Sequence, residues 1–205
     1  ILALSHQAIK IANNFTVGGI VSLVCGFADL NVKMPQGLAN ALSERAVACK
    51  EKFQAGDISR MLSGFAKQEI KLGAQLIQTM LGRTYNLAKT FLAVELLDLV
   101  CAFPKLGIHV DRELSEVIMK RSSDFVSSFD APKIARFVHA LSLLRIKPSP
   151  DLSRMILERA SAIAAALTCS SKTEMMVGLK KLGIECSAAL SEALSTVEQD
   201  PINSK

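Results

Sequence analysis

Basic side chains recur at one fixed spacing in this sequence and could bind a polyanion. One set of arginines recurs every 38 residues: Arg45, Arg83, Arg121 and Arg159. A second set keeps the same 38-residue spacing: Lys33, Lys71, His109 and Lys147, with Glu185 at the next position. Regularly spaced cations can meet successive phosphates of a single strand. Both sets are therefore candidates for phosphate binding.

Each basic set also has a structural interpretation. The arginines lie about 20° around the helix from a repeated leucine, at the edge of an apolar stripe. Their stems could pack between helices while the guanidinium groups hydrogen-bond a neighbour. The second set falls in predicted turns, where solvated charges need no partner. The sequence leaves both interpretations open for both sets.

No other group of residues points to catalysis or to a cofactor. The sequence lacks a Gly-rich loop followed by Lys and Ser/Thr, and it lacks the HExxH and GxSxG motifs. The five cysteines form no CxxC pair and have no metal-ligand spacing with the three histidines. We therefore expect no enzyme activity, no metal and no cofactor.

Composition limits the partners. The formal charge of +5 permits a polyanionic partner without requiring one. The longest uncharged segment, residues 11–28, contains Asn, Thr, Gly and Ser, so we expect no membrane insertion. The mean hydropathy of +0.31 is high, and we expect protein partners to cover part of the surface.

The repeat that carries the basic sets extends through most of the chain. Gly26–Leu42 aligns without gaps on segments that begin at Gly64, Ala102, Ala140 and Gly178, and these five small residues themselves form a column. Leucine recurs in another column: Leu38, Leu76, Leu114, Leu152 and Leu190. Phe or Leu fills two more: Phe27, Phe65, Phe103, Leu141 and Leu179, and Phe15, Phe53, Phe91, Phe129 and Leu167. Such a period is typical of a solenoid.

Each repeat is predicted to form two helices. Residues 20–27 follow the spacing of one apolar helical stripe, and residues 38–53 continue a second stripe after a short break. Gly107 and Gly183 suit helix C-termini in the breaks, and Asp111 and Ser149 suit helix starts. The prediction is an all-α, α–α solenoid over residues 1–197, in which residues 1–15 form the terminal helix of a preceding repeat, with a polar tail over 198–205. Its five 38-residue hairpins start near residues 16, 54, 92, 130 and 168.

The hairpin resembles an organellar repeat. Its first helix ends in a pattern such as ALSLLRI (Ala140–Ile146), AFPKLGI or GLKKLGI, and a Pro-tolerant turn and a Leu-rich second helix follow. This pattern resembles the octotricopeptide repeat and the related repeats of FAST-kinase-like and RAP-domain proteins of mitochondria and plastids. The resemblance covers nearly the whole chain and implies an organellar RNA-binding protein.

Charge pattern and resemblance together predict an RNA-binding helical-repeat protein of the mitochondrion, with the plastid as the alternative location. We expect it in a ribonucleoprotein such as the mitochondrial ribosome, with ribosomal RNA or an organellar transcript and other subunits as partners. Both basic sets are the candidate RNA-binding residues. Because we expect no surface aromatics for base stacking, contacts should be mainly to phosphate. The alternative function is a protein–protein scaffold, because solenoid surfaces serve both roles.

Overall fold

The computed structural model describes residues 2–195, and the side chains of residues 5–195. Within this range the chain forms eleven α-helices and no strand, which confirms the all-α helical-repeat fold class. The first helices of the hairpins are α2 (Val17–Asp29), α4 (Ala55–Lys67), α6 (Ala93–Lys105), α8 (Ala131–Leu144) and α10 (Cys169–Leu182). The second helices are α1 (Leu2–Lys10), α3 (Gln36–Ala48), α5 (Ala74–Leu87), α7 (Arg112–Ser123), α9 (Pro150–Ala162) and α11 (Ala188–Ser195). Ile1 and the tail predicted for residues 198–205 lie outside the described residues.

The helix boundaries keep the phase of the sequence repeat. First helices begin at residues 17, 55, 93, 131 and 169, and the second helices that follow them begin at residues 36, 74, 112, 150 and 188. Both series advance by 38 residues at every step. A 3-10 helix follows five of the second helices in the same phase: Ala12–Asn14, Lys50–Lys52, Ala88–Thr90, Val126–Ser128 and Ala164–Ala166. Each of these first helices begins one residue after a hairpin start that the sequence predicts.

Polar caps account for the starts of the first helices. Thr16 Oγ1 accepts a hydrogen bond from Gly19 N at 3.2 Å, and Asp130 Oδ1 accepts one from Lys133 N at 3.0 Å. In α4 the carboxylate of Asp57 instead reaches back to the N–H of Gln54, at 3.0 Å. These bonds satisfy N–H groups that have no partner within the helix.

The segments between the two helices of a hairpin contain the capping residues and glycines that the sequence predicts there. Asp111 Oδ1 accepts a hydrogen bond from Leu114 N at 2.8 Å, and Ser149 Oγ accepts one from Leu152 N at 3.2 Å. Gly107 and Gly183 have φ values of +65° and +67°, which favour glycine after a helix. Thr168 Oγ1 accepts a hydrogen bond from Ser171 N at 3.3 Å and so caps the start of α10.

The described residues form two compact units, one up to Ile118 and one from Met119. In the first unit α4 packs between α2 and α6, and in the second unit α8 packs against α10. The repeated leucines of the second helices are all buried. Within the described residues no helix combines the length and the apolar character needed to cross a bilayer.

Candidate nucleic-acid interface

The second basic set lies in the turns that join the first and second helices. We call Lys33, Lys71, His109 and Lys147 the basic turn set; all four side chains are exposed. The first three belong to the first unit and Lys147 belongs to the second. Each of these four turns therefore presents a basic side chain to solvent.

Lys33 also links two neighbouring hairpins. Its Nζ donates a hydrogen bond to the carbonyl oxygen of Gln68, at 2.8 Å, at the C-terminal end of α4. This carbonyl is at the negative end of the helix dipole, which favours a cation there. An ammonium group has three donors, so two remain for an anion. Structural and anion-binding roles are thus compatible at Lys33.

Lys147 shares a cleft with two further cations. Arg145, Lys147 and Lys181 line a cleft of about 550 Å³ at the C-terminal ends of α8 and α10. The remaining lining residues are uncharged: Ser142, Leu143 and Leu182. All three basic side chains are exposed, so an anion can reach them from solvent. Three cations in one lining that contains no carboxylate are suited to a phosphate group.

On its other side, Lys147 lies near acidic side chains that weaken its attraction for an anion. Lys147 also borders a neighbouring cleft of about 640 Å³ that contains Arg154, Glu158 and Glu185. Arg154 and Glu158 form an ion pair there, at 2.8 Å. The cleft with Arg145 and Lys181 is therefore the more favourable of the two for a phosphate.

In the first unit, the positions equivalent to Arg145, Lys147 and Lys181 include fewer basic residues, and acidic residues lie beside some of them. The counterparts of Arg145, Lys147 and Lys181 are Asn31, Lys33 and Lys67 in one pair of hairpins, and Glu69, Lys71 and Lys105 in the next. Lys67 Nζ pairs with Asp29 Oδ1 at 3.3 Å. The cluster around Lys147 is therefore the strongest candidate anion site. Sequence analysis missed Arg145 and Lys181 as members of it.

Arginines of the first set hydrogen-bond within the protein. Arg45 Nε donates to the carbonyl oxygen of Phe15 at 2.9 Å. Two further pairs repeat this bond: Arg83 with Phe53 at 3.2 Å, and Arg159 with Phe129 at 2.6 Å. Each acceptor is the residue that ends a 3-10 helix. These bonds join each second helix to the linker that enters its own hairpin.

The remaining donors of this set are partly used as well. Arg83 Nη2 donates to the carbonyl oxygen of Glu51 at 2.8 Å, and its Nη1 pairs with the Glu51 carboxylate at 3.2 Å. Arg121 pairs with Asp124 at 2.8 Å, and its Cζ lies 4.4 Å from the centroid of the Phe125 ring. The geometry favours the structural interpretation for the arginines. Their RNA-binding role stays a prediction.

One exposed aromatic side chain contradicts the expected absence of surface aromatics. Tyr85 is 47% exposed and lines a cleft of about 550 Å³ with the amides of Gln78 and Asn86. Its repeat counterparts are Val47, Ser123 and Ser161, so no column signalled an aromatic residue there. The same cleft contains two cations, Lys50 and Arg83, and three carboxylates, those of Glu51, Asp111 and Glu113, so the net negative charge of its lining disfavours phosphate. In the described part of the chain, no group of three His, Cys, Asp or Glu side chains is placed to hold a metal.

The chain matches the family described as RNA-editing substrate-binding complex 6 protein over residues 1–197. No curated protein matches the chain. The matched family is not the octotricopeptide or FAST-kinase-like family that the hairpins resemble. The resemblance therefore indicated an organellar RNA-associated helical protein correctly and the family wrongly.

Proposed function

Since this chain belongs to the RNA-editing substrate-binding complex 6 protein family, we propose that it is an RNA-binding component of a mitochondrial RNA-editing complex. It binds RNA phosphates through basic side chains in the turns between helices and in the last turn of α10. The family supports an RNA-editing complex instead of the mitochondrial ribosome, and it supports the mitochondrion instead of the plastid. The proposed role is binding, without a catalytic step by this chain.

The cleft of Arg145, Lys147 and Lys181 carries this proposal. Its three cations lie along one lining that contains no carboxylate, so no ionised side chain of the lining opposes a phosphate there. Two of the three are lysines, which act as point charges on phosphates without selecting a base. We therefore expect this site to contribute affinity and salt dependence and to contribute little sequence preference.

The test is the salt dependence of binding to a single-stranded RNA. The variant is the triple substitution Arg145→Gln, Lys147→Gln and Lys181→Gln, which removes all three cations of the cleft. The matched control is Lys52→Gln, Lys89→Gln and Lys120→Gln, because these exposed lysines lie outside the cleft and the basic turn set. Each phosphate contact on a single strand contributes about 0.7 to the log–log salt slope, so loss of the one phosphate held at this cleft should lower the slope by about 0.7.

The two variants have the same net charge, so they separate a local site from a general charge effect. If RNA binds at this cleft, the cleft variant loses this part of the slope and the control retains it. Equal slopes in the two variants would contradict the proposed site. Circular dichroism should show unchanged helix content in both, because all six side chains are exposed.

A further inference from the structure

The face of α2 that points away from α4 is apolar and uncovered. It forms one side of a groove of about 300 Å³, which is lined mainly by Leu23, Gly26, Phe27, Leu30 and Val32. Leu30 is 76% exposed, the largest exposure of any large hydrophobic side chain in the described residues. An uncovered apolar groove of this kind marks an interaction surface.

The repeat assigns these positions to the core. Phe65 and Phe103, the counterparts of Phe27 on α4 and α6, are both 0% exposed. Met61 and Leu99, the counterparts of Leu23, are also 0% exposed. On α2, Leu23 and Phe27 remain partly exposed. The residue types on α2 are therefore those of a covered face, although nothing in the described chain covers it.

Glycine geometry identifies what covers such a face elsewhere in the protein. A Cβ on Gly64 of α4 would lie 2.7 Å from Val24 Cγ1, because α2 packs directly on that glycine. A Cβ on Gly178 of α10 would lie 2.8 Å from Val138 Cγ1 of α8 in the same way. A Cβ on Gly26 would meet nothing within 4 Å. Gly26 therefore has the same small size as Gly64 and Gly178, on which a neighbouring first helix packs, but no helix packs on it within the described residues.

The face of α10 that points away from α8 has different chemistry; α10 is the last first helix within the described residues. Lys172 occupies the column that contains Ile20, Ile58 and Ile134 in other first helices. Lys180 occupies the column of Ala28 and Ala66. Polar residues on an outer face are typical of a terminal, capping repeat. The outer face of α2 lacks such polar substitutions, so it is not a capping surface.

We propose that the outer face of α2 binds one additional first helix of this same repeat, in the orientation in which α2 lies on α4. The incoming helix places a valine or a similar aliphatic residue over Gly26, and its apolar stripe covers Leu23, Phe27 and Leu30. The occupant is a helix from an additional repeat of this type. A second copy of this chain fits less well, because its α10 would bring Lys172 and Lys180 to an apolar surface.

An extended chain tests whether the face accepts such a helix. The segment Thr16–Leu38 is duplicated and joined directly before Ile1. This junction keeps the 38-residue phase, because Ile1 is the repeat counterpart of Ala39, the residue that normally follows Leu38. The added helix should stack on α2 and raise Tm by roughly 5 °C or more, since newly buried apolar side chains stabilise the fold. Hydrogen exchange of the α2 amides should slow in parallel.

Gly26→Leu provides the matched control. In the unextended chain this substitution meets open space, so Tm should not fall. In the extended chain the leucine would occupy the space of the incoming valine and should cancel the gain in Tm. An extension that is helical by circular dichroism but leaves Tm and α2 exchange unchanged would overturn the proposal.

Cross-linking in the intact complex identifies the natural occupant. A photo-reactive residue in place of Leu30 should link to a peptide that carries the apolar spacing of a first helix. A link to RNA, or to α10 of an isotopically labelled second copy, would overturn the proposal. Sedimentation should show the purified chain as a monomer. Self-association that Gly26→Leu abolishes would instead indicate a second copy at this face.

Discussion

The Nε of Arg45 donates a hydrogen bond to the carbonyl oxygen of Phe15, 30 residues earlier in the chain, at 2.9 Å. Arg45 lies in α3, and Phe15 precedes α2, so the bond closes the hairpin formed by these two helices. Arg83 and Arg159 make the same bond in their own hairpins. A guanidinium is suited to this position because it stays charged and its long stem can pack against apolar side chains.

Arg83→Met should lower the free energy of unfolding by about 1.5–3 kcal/mol, the range for a hydrogen bond to a charged group. The methionine retains much of the apolar stem, so the loss reports on the bonds to Phe53 and Glu51. Urea denaturation measures the effect. Arg60→Met on the exposed surface of α4 is the control and should change stability by less than about 0.5 kcal/mol. Equal stability of the two variants would contradict the structural role.

The sequence was sufficient to predict the helices and their phase, because each column requires one physical type of residue. Leu38 and its counterparts are buried in both units, as the periodicity predicted. The role of the arginines could not be derived in the same way. Periodicity places Arg45 at the edge of the apolar stripe, but it contains no information on the backbone carbonyl of Phe15 as the acceptor.

The candidate anion site was predictable only in part, for a related reason. Lys147 belongs to a basic column, whereas Arg145 aligns with Asn31, Glu69 and glycines, so its column shows no common charge. Arg145 takes a left-handed conformation, with φ of 56°, where α8 ends. The cleft results from this local turn and from the stacking of α10 on α8, and neither follows from residue spacing alone.

Gln68→Leu should destabilise the protein although leucine is the usual residue of that column. Gln68 is buried, and its Oε1 accepts a hydrogen bond from Met34 N at 2.9 Å. Leucine would leave this buried N–H without a partner, at a cost of about 1–3 kcal/mol. Urea denaturation measures the loss. Gln75→Leu, at an exposed position of α5, is the control and should have little effect. A Gln68→Leu variant as stable as the parent protein would mean that another acceptor reaches the Met34 amide.

Asp130→Asn should reduce the acid sensitivity of the protein. The hydrogen bond from the Lys133 side chain lowers the pKa of Asp130 below its usual value of 3.8. A carboxyl with a lowered folded-state pKa adds stability above its unfolded pKa, and this contribution is lost as the pH falls through the folded-state pKa. The parent protein should therefore exceed Asp130→Asn in urea midpoint at pH 6, and the two midpoints should converge as the pH falls below 3.8 and through the folded-state pKa. Glu44→Gln, at an exposed site on α3, is the control. A difference that persists at low pH would exclude the ion pair as its cause.

Alanine at Gly178 and alanine at Gly26 should change the free energy of unfolding in opposite directions. A first helix covers Gly178, and none covers Gly26 in the described chain. A Cβ on Gly178 would lie 3.1 Å from both His139 N and the Val138 carbonyl carbon, which are backbone atoms that cannot easily move away. Overpacking of this kind costs about 1–3 kcal/mol, more than the gain of about 0.5–1 kcal/mol from replacing a helical glycine with alanine. Gly178→Ala should therefore lower the unfolding midpoint.

Gly26→Ala should instead raise the stability of the isolated chain by about 0.5–1 kcal/mol, because its Cβ meets no atom within 4 Å and only the helix propensity changes. Urea denaturation of both variants beside the parent protein measures the two signs. A first helix packed on α2 would place an aliphatic side chain over residue 26, so the same alanine should lose its benefit within the complex. Hydrogen exchange of α2 in the purified complex, compared with the isolated chain, detects that reversal. If Gly26→Ala destabilised the isolated chain as Gly178→Ala does, the outer face of α2 would already be covered in solution.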